Sequence, residues 1–313
     1  MKKYILYILT GVAACGLCSC EDALDRYPKD RLTPDNFFHT EEECQLYTND
    51  FYTMFPSAGT IYGETADIIA KTTLTSEVLG NRTVPATAGS WKWEKLRDIN
   101  FFLEYSSNCK DRDVRLQYEG LARFFRAYFY FEKVKYYGDV PWVDRPLASN
   151  EEELYKGRDS RDLVMSKVIE DLDFAIEHLS PTKETYRVSE WTALALKSRV
   201  CLFEGTFRKY HSREPSSDKP WQNDVNNADN KFLREAAAAA KEIMDKGPFS
   251  LVTGDVKTAY RSLFTSAGLL TQEVIFGREY SKELSAFHET SWYYYSPTYG
   301  AKIAMTKKFM NTY

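Results

Sequence analysis

Residues 119–141 read EGLARFFRAYFYFEKVKYYGDVP. Leu121, Phe125, Tyr128 and Glu132 recur every three or four positions, with Phe124, Phe131 and Val134 beside them, a spacing that lines them along one side of an α-helix. Gly138 reads as the residue that ends the helix in a left-handed conformation, and Pro141 prevents a restart. The pattern predicts a helix over 114–137. At this period its rings belong to a core and a helix hairpin interface rather than to a ligand site.

The flanking chain repeats the helical theme. Asp159 or Ser160 caps a predicted helix to about 179, with Leu163, Val168, Leu172, Ala175, Ile176 and Leu179 inward. Ser189 caps the next, with Trp191, Leu194, Ala195, Ser198 and Leu202 inward and Gly205 at its end. The two are similar in length and joined by a short polar turn, and the small residues Ala193, Ala195 and Ser198 permit close contact. A tetratricopeptide-type hairpin is built this way, although its full consensus of about 34 residues is absent. A polar insertion follows at 206–228. Asn230 then caps a helix to about 246, closed by Gly247-Pro248, and its alanines 236–240 suggest tight packing.

Upstream, Thr40 to Glu43 form a capping box that opens a helix over about 41–55, ending at Pro56. Trp93, Leu96, Ile99, Asn100 and Leu103 fit a helix beginning near Trp91. Between these, residues 56–90 lose periodicity and read as a long loop region with at most one helical turn near Asp67–Ala70. Long ordered loops on a rigid scaffold are where binding usually sits. Near the other end, Glu273 to Phe276 reads as a short extended or buried segment, and Trp292-Tyr293-Tyr294-Tyr295 as an extended run before Pro297.

The N-terminus, MKKYILYILTGVAACGLCSC, has two lysines, an apolar stretch from Tyr4 to Ala14, and Leu17-Cys18-Ser19-Cys20. This is the layout of a secretory signal, and its end resembles a bacterial lipobox with Cys20 as the lipidated residue. Residues 1–19 are expected to be removed, residues 20–32 to form a lipidated tether, and residues 33–313 to form the folded domain. The apolar run is too short to span a bilayer, which takes about 20 residues. Glu21 and Asp22 resemble the surface-export signals of Bacteroidetes lipoproteins.

Composition narrows the function. Lys and Arg number 41 and Asp and Glu 45; losing Lys2 and Lys3 with the signal leaves 39 against 45, an acidic balance without a basic tract, which argues against nucleic acid. There are 22 Tyr against 19 Phe, an excess that suits half-wet surfaces because Tyr joins an apolar ring to a polar tip. Cys15 and Cys18 form a CxxC only inside the signal, and Cys44, Cys109 and Cys201 make no disulfide framework or zinc pattern. The four histidines make no HExxH, no serine-nucleophile, Walker or dinucleotide motif is present, and there is no EF-hand loop. No catalytic residue, metal or cofactor is expected.

The order of these pieces resembles the SusD/RagB family of outer-membrane nutrient-binding lipoproteins. The resemblance runs from Cys20 and Thr33-Pro34-Asp35-Asn36-Phe37-Phe38, through Trp93 to Leu103 and the 119–141 stretch, to Ile169-Glu170-Asp171-Leu172, Trp191 to Arg199, Glu273 to Phe276, and Pro297 to Tyr313. It implies a mainly α fold of tetratricopeptide-like hairpins with a loop-rich second face. It also implies capture of an oligosaccharide or polysaccharide and its delivery to a SusC-like TonB-dependent outer-membrane transporter, without enzymatic activity. Family chains continue past the segment that ends at Tyr313, so a C-terminal truncation is expected from the resemblance. The alternative is an interaction lipoprotein that binds peptide or another nutrient, or scaffolds the transporter.

Sugar rings offer apolar faces edged by hydroxyls, so aromatic platforms with amides and planar charges suit them. Two places have that mix: Asn81, Arg82, Trp91 and Trp93 at a loop-to-helix junction, and Trp292, Tyr293, Tyr294 and Tyr295. Trp93 also falls on its helix stripe, which argues for the core. Asn81-Arg82-Thr83 spells a glycosylation sequon, but in a bacterial lipoprotein it reads as a loop.

Overall fold

The computed structural model describes residues 37–56, 69–70, 74, 76–84, 89–211, 213–215, 217–221, 230–283, 285–288, 290–298, 300 and 304–312. The expected signal, Cys20 and the tether lie outside the described residues, as does Thr33-Pro34.

The first described element, α1 (Glu41–Thr48), opens on the capping box: the Glu43 amide donates to the Thr40 hydroxyl, and the Thr40 amide donates to the Glu43 carboxylate. It tightens into a 3-10 turn over Asn49–Met54, so the single helix expected over 41–55 is divided in two. Just before it, Phe38 is fully buried at a φ of 71°, a strained position for a bulky residue. Rings of Phe37, Tyr47, Phe101 and Phe102, with centroids 5.0–6.1 Å away, surround it. Packing therefore holds the strain.

A two-residue strand, β1 (Ile69–Ala70), pairs antiparallel with β2 (Ala304–Met305). The described part of the expected turn near 67–70 is thus extended, held by a partner more than 200 residues away in sequence. The described helical turn of this region is α2 (Ser76–Leu79).

The body of the molecule is five helices: α3 (Glu94–Tyr105), α4 (Arg112–Tyr137), α5 (Arg161–His178), α6 (Glu190–Tyr210) and α7 (Lys231–Lys246). Their N-terminal amides are satisfied as short polar side chains allow. Asp111 accepts from Asp113 and Val114, Ser160 from Leu163, and Asn230 from Leu233, while Ser189 forms a capping box with Thr192. Of the two cap candidates for α5, Ser160 serves; the Asp159 carboxylate instead accepts from the Trp142 amide at 2.7 Å. Gly138, at φ 68°, ends α4 as expected.

The closest packing is α4 on α5 and α6 on α7, with α5 on α6 joining the two pairs. Each pair is antiparallel. Gly120, early in α4, lies against His178 and Leu179 at the end of α5, and the Ser198 hydroxyl of α6 donates to the Ala236 carbonyl of α7. The small residue at 198 therefore serves the contact with α7. Gly205 does not end α6; it lies inside it, and a Cβ there would sit 2.7 Å from Leu233. It is a glycine of close approach, and the helix runs five residues into the segment expected as a polar insertion.

Burial corrects the simple one-stripe picture. α4 is enclosed on most sides: Tyr118, Leu121, Phe124, Phe125, Phe129, Tyr130, Phe131 and Val134 are all buried, while Tyr128 and Glu132 of the expected stripe are only half-buried. Leu163 and Leu202, expected inward, are 43% and 54% exposed. Both sit beside helix positions where polar neighbours take the inward direction: Asp162 and Arg161 next to Leu163, and Glu204 near Leu202. Arg161 grips Glu204 bidentately at 2.7–3.0 Å, Glu204 also accepts from Arg208 at 2.7 Å, and Arg208 reaches Asp162. Phe207 lies 3.7 Å from the Arg161 guanidinium, and Trp221 and Phe232 lie 4.5 Å from that of Arg208. A second buried pair, Arg126–Asp171 at 2.6–2.7 Å, ties α4 to α5.

Beyond α7 the chain changes character. The described residues between 247 and 312 are mostly loops with short helices, α8 (Ala259–Thr265), α9 (Thr290–Tyr295) and α10 (Lys307–Met310). This is the loop-rich second face. The run Trp292–Tyr295, expected extended, is a helical turn. No helix among the described residues is long and apolar enough to cross a membrane.

Candidate functional site

The chain between α4 and α5 doubles back across the start of α3 and leaves a cleft of about 550 Å³. One wall is Trp91, Lys92, Trp93, Glu94, Leu96 and Arg97. The other comes from Pro141, Val143, Arg145, Pro146, Leu147, Glu153, Leu154 and Lys156. The buried Asn100 lies at the junction.

Both walls are held from behind. Asn100 donates from its amide to the carbonyls of Val143 (2.9 Å) and Arg145 (3.4 Å), and accepts from Arg126 at 3.4 Å. The Tyr130 hydroxyl accepts from the Val143 amide at 2.7 Å, and its ring stacks on Trp142 with centroids 4.3 Å apart. Burial pushes the Tyr130 phenol well above its ordinary range, so it stays a neutral strut. At the outer edge Arg145 pairs with Glu151 (2.5 Å) and Glu153 (2.8 Å), and Lys156 with Asp159 (3.2 Å) and Glu153 (3.5 Å).

The tryptophans are similarly fixed. Trp91 meets Trp93 edge-to-face at 5.0 Å and Tyr137 at 4.7 Å. Trp93 rests on Phe129 and Tyr130. Lys133 passes beneath: its ammonium lies 5.6 Å from the Trp93 ring and donates to the Ser90 carbonyl at 2.6 Å. Burial lowers the Lys133 pKa, with Glu94 opposing the shift. Arg158 lies 5.1 Å from the Trp91 ring and donates to the Tyr137 and Asp139 carbonyls. Both tryptophans are half-exposed and precede α3 rather than belonging to it, so Trp93 is at once a packing residue and a lining one.

Chemically, the cleft offers two indoles at fixed angle, an opposite wall of proline and aliphatic carbons, and a rim of planar or charged polar groups. That combination suits a ligand with apolar faces and polar edges. Of the residues expected from sequence, Trp91 and Trp93 are brought together here. Asn81 and Arg82 are exposed and do not line the cleft, nor do Trp292–Tyr295 on α9. Trp292 is 51% and Tyr295 85% exposed, with Tyr293 and Tyr294 half-buried. The 141–156 wall escaped sequence reading. Its one signal was the length of the connection between two strong helices, since long connections in compact domains are commonly functional.

Other hollows lie among the described residues. One of about 630 Å³ lies between α4 and α6 and is largely apolar, with Phe55, Tyr128, Phe131, Leu196 and Phe276. A smaller polar one, about 310 Å³, lies beside the α5–α6 turn with Glu41, Tyr118, Glu184 and Arg187. The cysteines Cys44, Cys109 and Cys201 are buried and free. Burial pushes the thiols of Cys44 and Cys201 up to about 12, with Cys109 adding to the shift at Cys44.

A family model described as starch-binding associating with outer membrane, SusD-like, matches residues 62–202. Among curated proteins of Formosa agariphila, SusD-like protein P25 is 22% identical over 91% of this chain and 53% of its own length. SusD-like protein P38 is 24% identical over 64% and 41%. The chain spans about half the length of the curated relatives it matches. Among solved structures, a SusD-like protein of Bacteroides fragilis superposes with a TM-score of 0.64 at 22% identity, over 84% of this chain and 49% of that one. A SusD superfamily protein of Bacteroides thetaiotaomicron gives 0.65 at 16%, over 87% and 61%. These likenesses show the fold: helical hairpins with a loop-rich face. The family match over residues 62–202 and these relatives together make the chain similar to SusD-like proteins.

Proposed function

We propose that this chain is the glycan-capturing part of a lipoprotein anchored through Cys20 at the outer membrane, exposed at the cell surface. It holds oligosaccharide for a SusC-like TonB-dependent transporter. Residues 1–19 act as the signal, 20–32 as the tether, and the remainder as the binding domain. The observation that carries this reading is the cleft in which Trp91 and Trp93, 5.0 Å apart, face a proline-rich wall with a polar rim. The description of the matching family, starch-binding associating with outer membrane, supports both the ligand class and the location. Asn81, Arg82 and Trp292–Tyr295 remain candidates for a second contact, since a long glycan extends beyond a cleft of this size.

The reading is of binding rather than turnover. A glycosidase needs two free carboxyls facing each other across the sugar. Of the two acids lining this cleft, Glu153 is engaged by Arg145 and Lys156. The half-wet, open site favours modest affinity, because much of the ligand keeps its water.

The test is retardation in native gels cast with a panel of polysaccharides, with Trp91→Ala beside the unmodified chain and release of reducing sugar assayed in parallel. Retardation by one glycan class, lost in Trp91→Ala and unaccompanied by turnover, supports the reading. A cooperatively melting protein retarded by none favours the interaction lipoprotein, for which the exposed Tyr260, Phe264, Trp292 and Tyr295 offer a surface.

A further inference from the structure

The whole chain is acidic, with a formal charge of −4, yet the cleft lining carries four cations against two acids. The cations are Lys92, Arg97, Arg145 and Lys156; the acids are Glu94 and Glu153. Their engagement differs. Arg145 and Lys156 are held in the ion pairs with Glu151, Glu153 and Asp159 that brace the outer wall. Lys133 and Arg158, behind the tryptophans, are committed to backbone carbonyls and ring faces.

Lys92 and Arg97 are different. Both are exposed, both line the cleft, and among the described residues neither side chain has a hydrogen bond or an ion pair. Arg97 does lie in the electrostatic field of its neighbour Asp98, lowering that carboxyl's pKa against the larger upward push of burial. Glu94 is the counter-charge on the same wall. Lys92 and Arg97 flank Trp93 in sequence and line the same cleft with it.

A neutral sugar placed on that platform would cover water-binding cations without giving them a partner, which costs free energy. A sugar bearing an anionic group would meet them with charge-assisted hydrogen bonds, and the planar fork of Arg97 matches the paired oxygens of a carboxylate or a sulfate ester. α3 also begins here at Trp93 without a side-chain acceptor for its first-turn amides, which adds a weak positive potential in the same direction. We infer that the ligand of this cleft is an acidic glycan, its anionic group received by Arg97 and Lys92 while its ring rests against Trp91 and Trp93. This inference rests on the cleft being the glycan site.

Matched pairs of probes test it, measured by calorimetry on the full chain. The pairs are oligogalacturonate against its methyl ester, and a sulfated galactan oligosaccharide against its desulfated form. In at least one pair the acidic member is expected to bind about tenfold or more tighter. Whichever pair shows the gap identifies the anion as carboxylate or sulfate. Arg97→Gln should shrink that gap about tenfold, Glu94→Gln should widen it, and raising ionic strength from about 0.05 to about 0.5 M should weaken the acidic member selectively. Arg97 is solvent-exposed, so its variant is expected to melt as the parent does. Equal affinity within both pairs, with Trp91→Ala abolishing both, overturns the acidic ligand and leaves the cleft as a neutral-glycan site. A gap that survives Arg97→Gln together with Lys92→Gln overturns the assignment to this cleft. Absence of binding to any glycan by a cooperatively melting chain overturns this inference and the proposed function together.

Discussion

The helical body from α3 to α7 and the loop-rich segment 247–312 divide the molecule's apolar residues very differently. In the body, α4 buries rings on nearly every side and neighbouring helices complete one core from Phe38 to Ala236. In the later segment Leu251, Val256, Tyr260, Phe264, Phe287 and Tyr295 are exposed, while Phe276 packs on the main core and Phe249 and Ile275 on a small cluster of Trp191, Leu194 and Ala239. A helix of 20 or more residues can present apolar groups to several partners at once. A short helix such as α8 or α9 has too few turns to do so and leaves rings outside. Helix length, more than apolar content, separates the region that buries its rings from the one that leaves them exposed.

The sharpest way to break the contrast is inside the body. Glu204→Ala leaves Arg161 and Arg208 charged and buried without their shared carboxylate. The expected loss is about 3–5 kcal/mol, read by urea denaturation. Leu172→Ala, at a fully buried site on α5, should cost about 2–5 kcal/mol through lost contacts and a residual cavity. If either variant melted like the parent, the body would not be the cooperative unit described. By contrast Tyr295→Ala, on α9, should change stability by no more than about 0.5 kcal/mol; a larger effect would mean that the later segment is packed as tightly as the body.

A smaller effect tests how the body is joined. Lys197 of α6 bridges Asp173 of α5 and Glu235 of α7, both at 2.7 Å. The hydrogen bond from Lys197 holds the Glu235 carboxyl below its ordinary value near 4.5. A carboxyl lowered on folding adds stability that is complete above its unfolded pKa and fades as pH falls through its folded one. Glu235→Gln should therefore cost up to about 1 kcal/mol at neutral pH, since the group is part-exposed, and should flatten the decline in melting temperature below about pH 4.5. A variant whose acid limb matches the parent would show that the Lys197–Glu235 bridge adds nothing to stability. The buried thiols give a separate reading: Cys44 and Cys201, pushed up to about 12, should react with a thiol reagent at neutral pH only as fast as the body opens.

Much of the body was legible before the structure. Helix spacing located α3 to α7 within a few residues, and Thr40, Ser160, Ser189 and Asn230 marked real starts because capping depends on a side chain and amides within one turn. Errors arose where a distant partner decides. Leu163 and Leu202 fit an apolar stripe, but the buried ion network beside them turns the helices so that charged groups face in. Gly205 looks like a terminator until Leu233 is seen against it. Ile69 and Ala70 are extended because Ala304 and Met305 pair with them.

The candidate site divides in the same way. Trp91 and Trp93 were readable as a polar-edged aromatic pair because they are two residues apart. Their opposite wall, 141–156, was not, because Asn100 of α3 and Arg126 and Tyr130 of α4 aim it from two other elements. Sequence by itself determined the helices, their caps and the family pattern, since these rest on interactions within a few residues or on the order of motifs along the chain. Only the tertiary structure decided that a connecting loop closes over the tryptophans and leaves Lys92 and Arg97 facing into the cleft, because that arrangement depends on side chains far apart in sequence meeting in a packed interior.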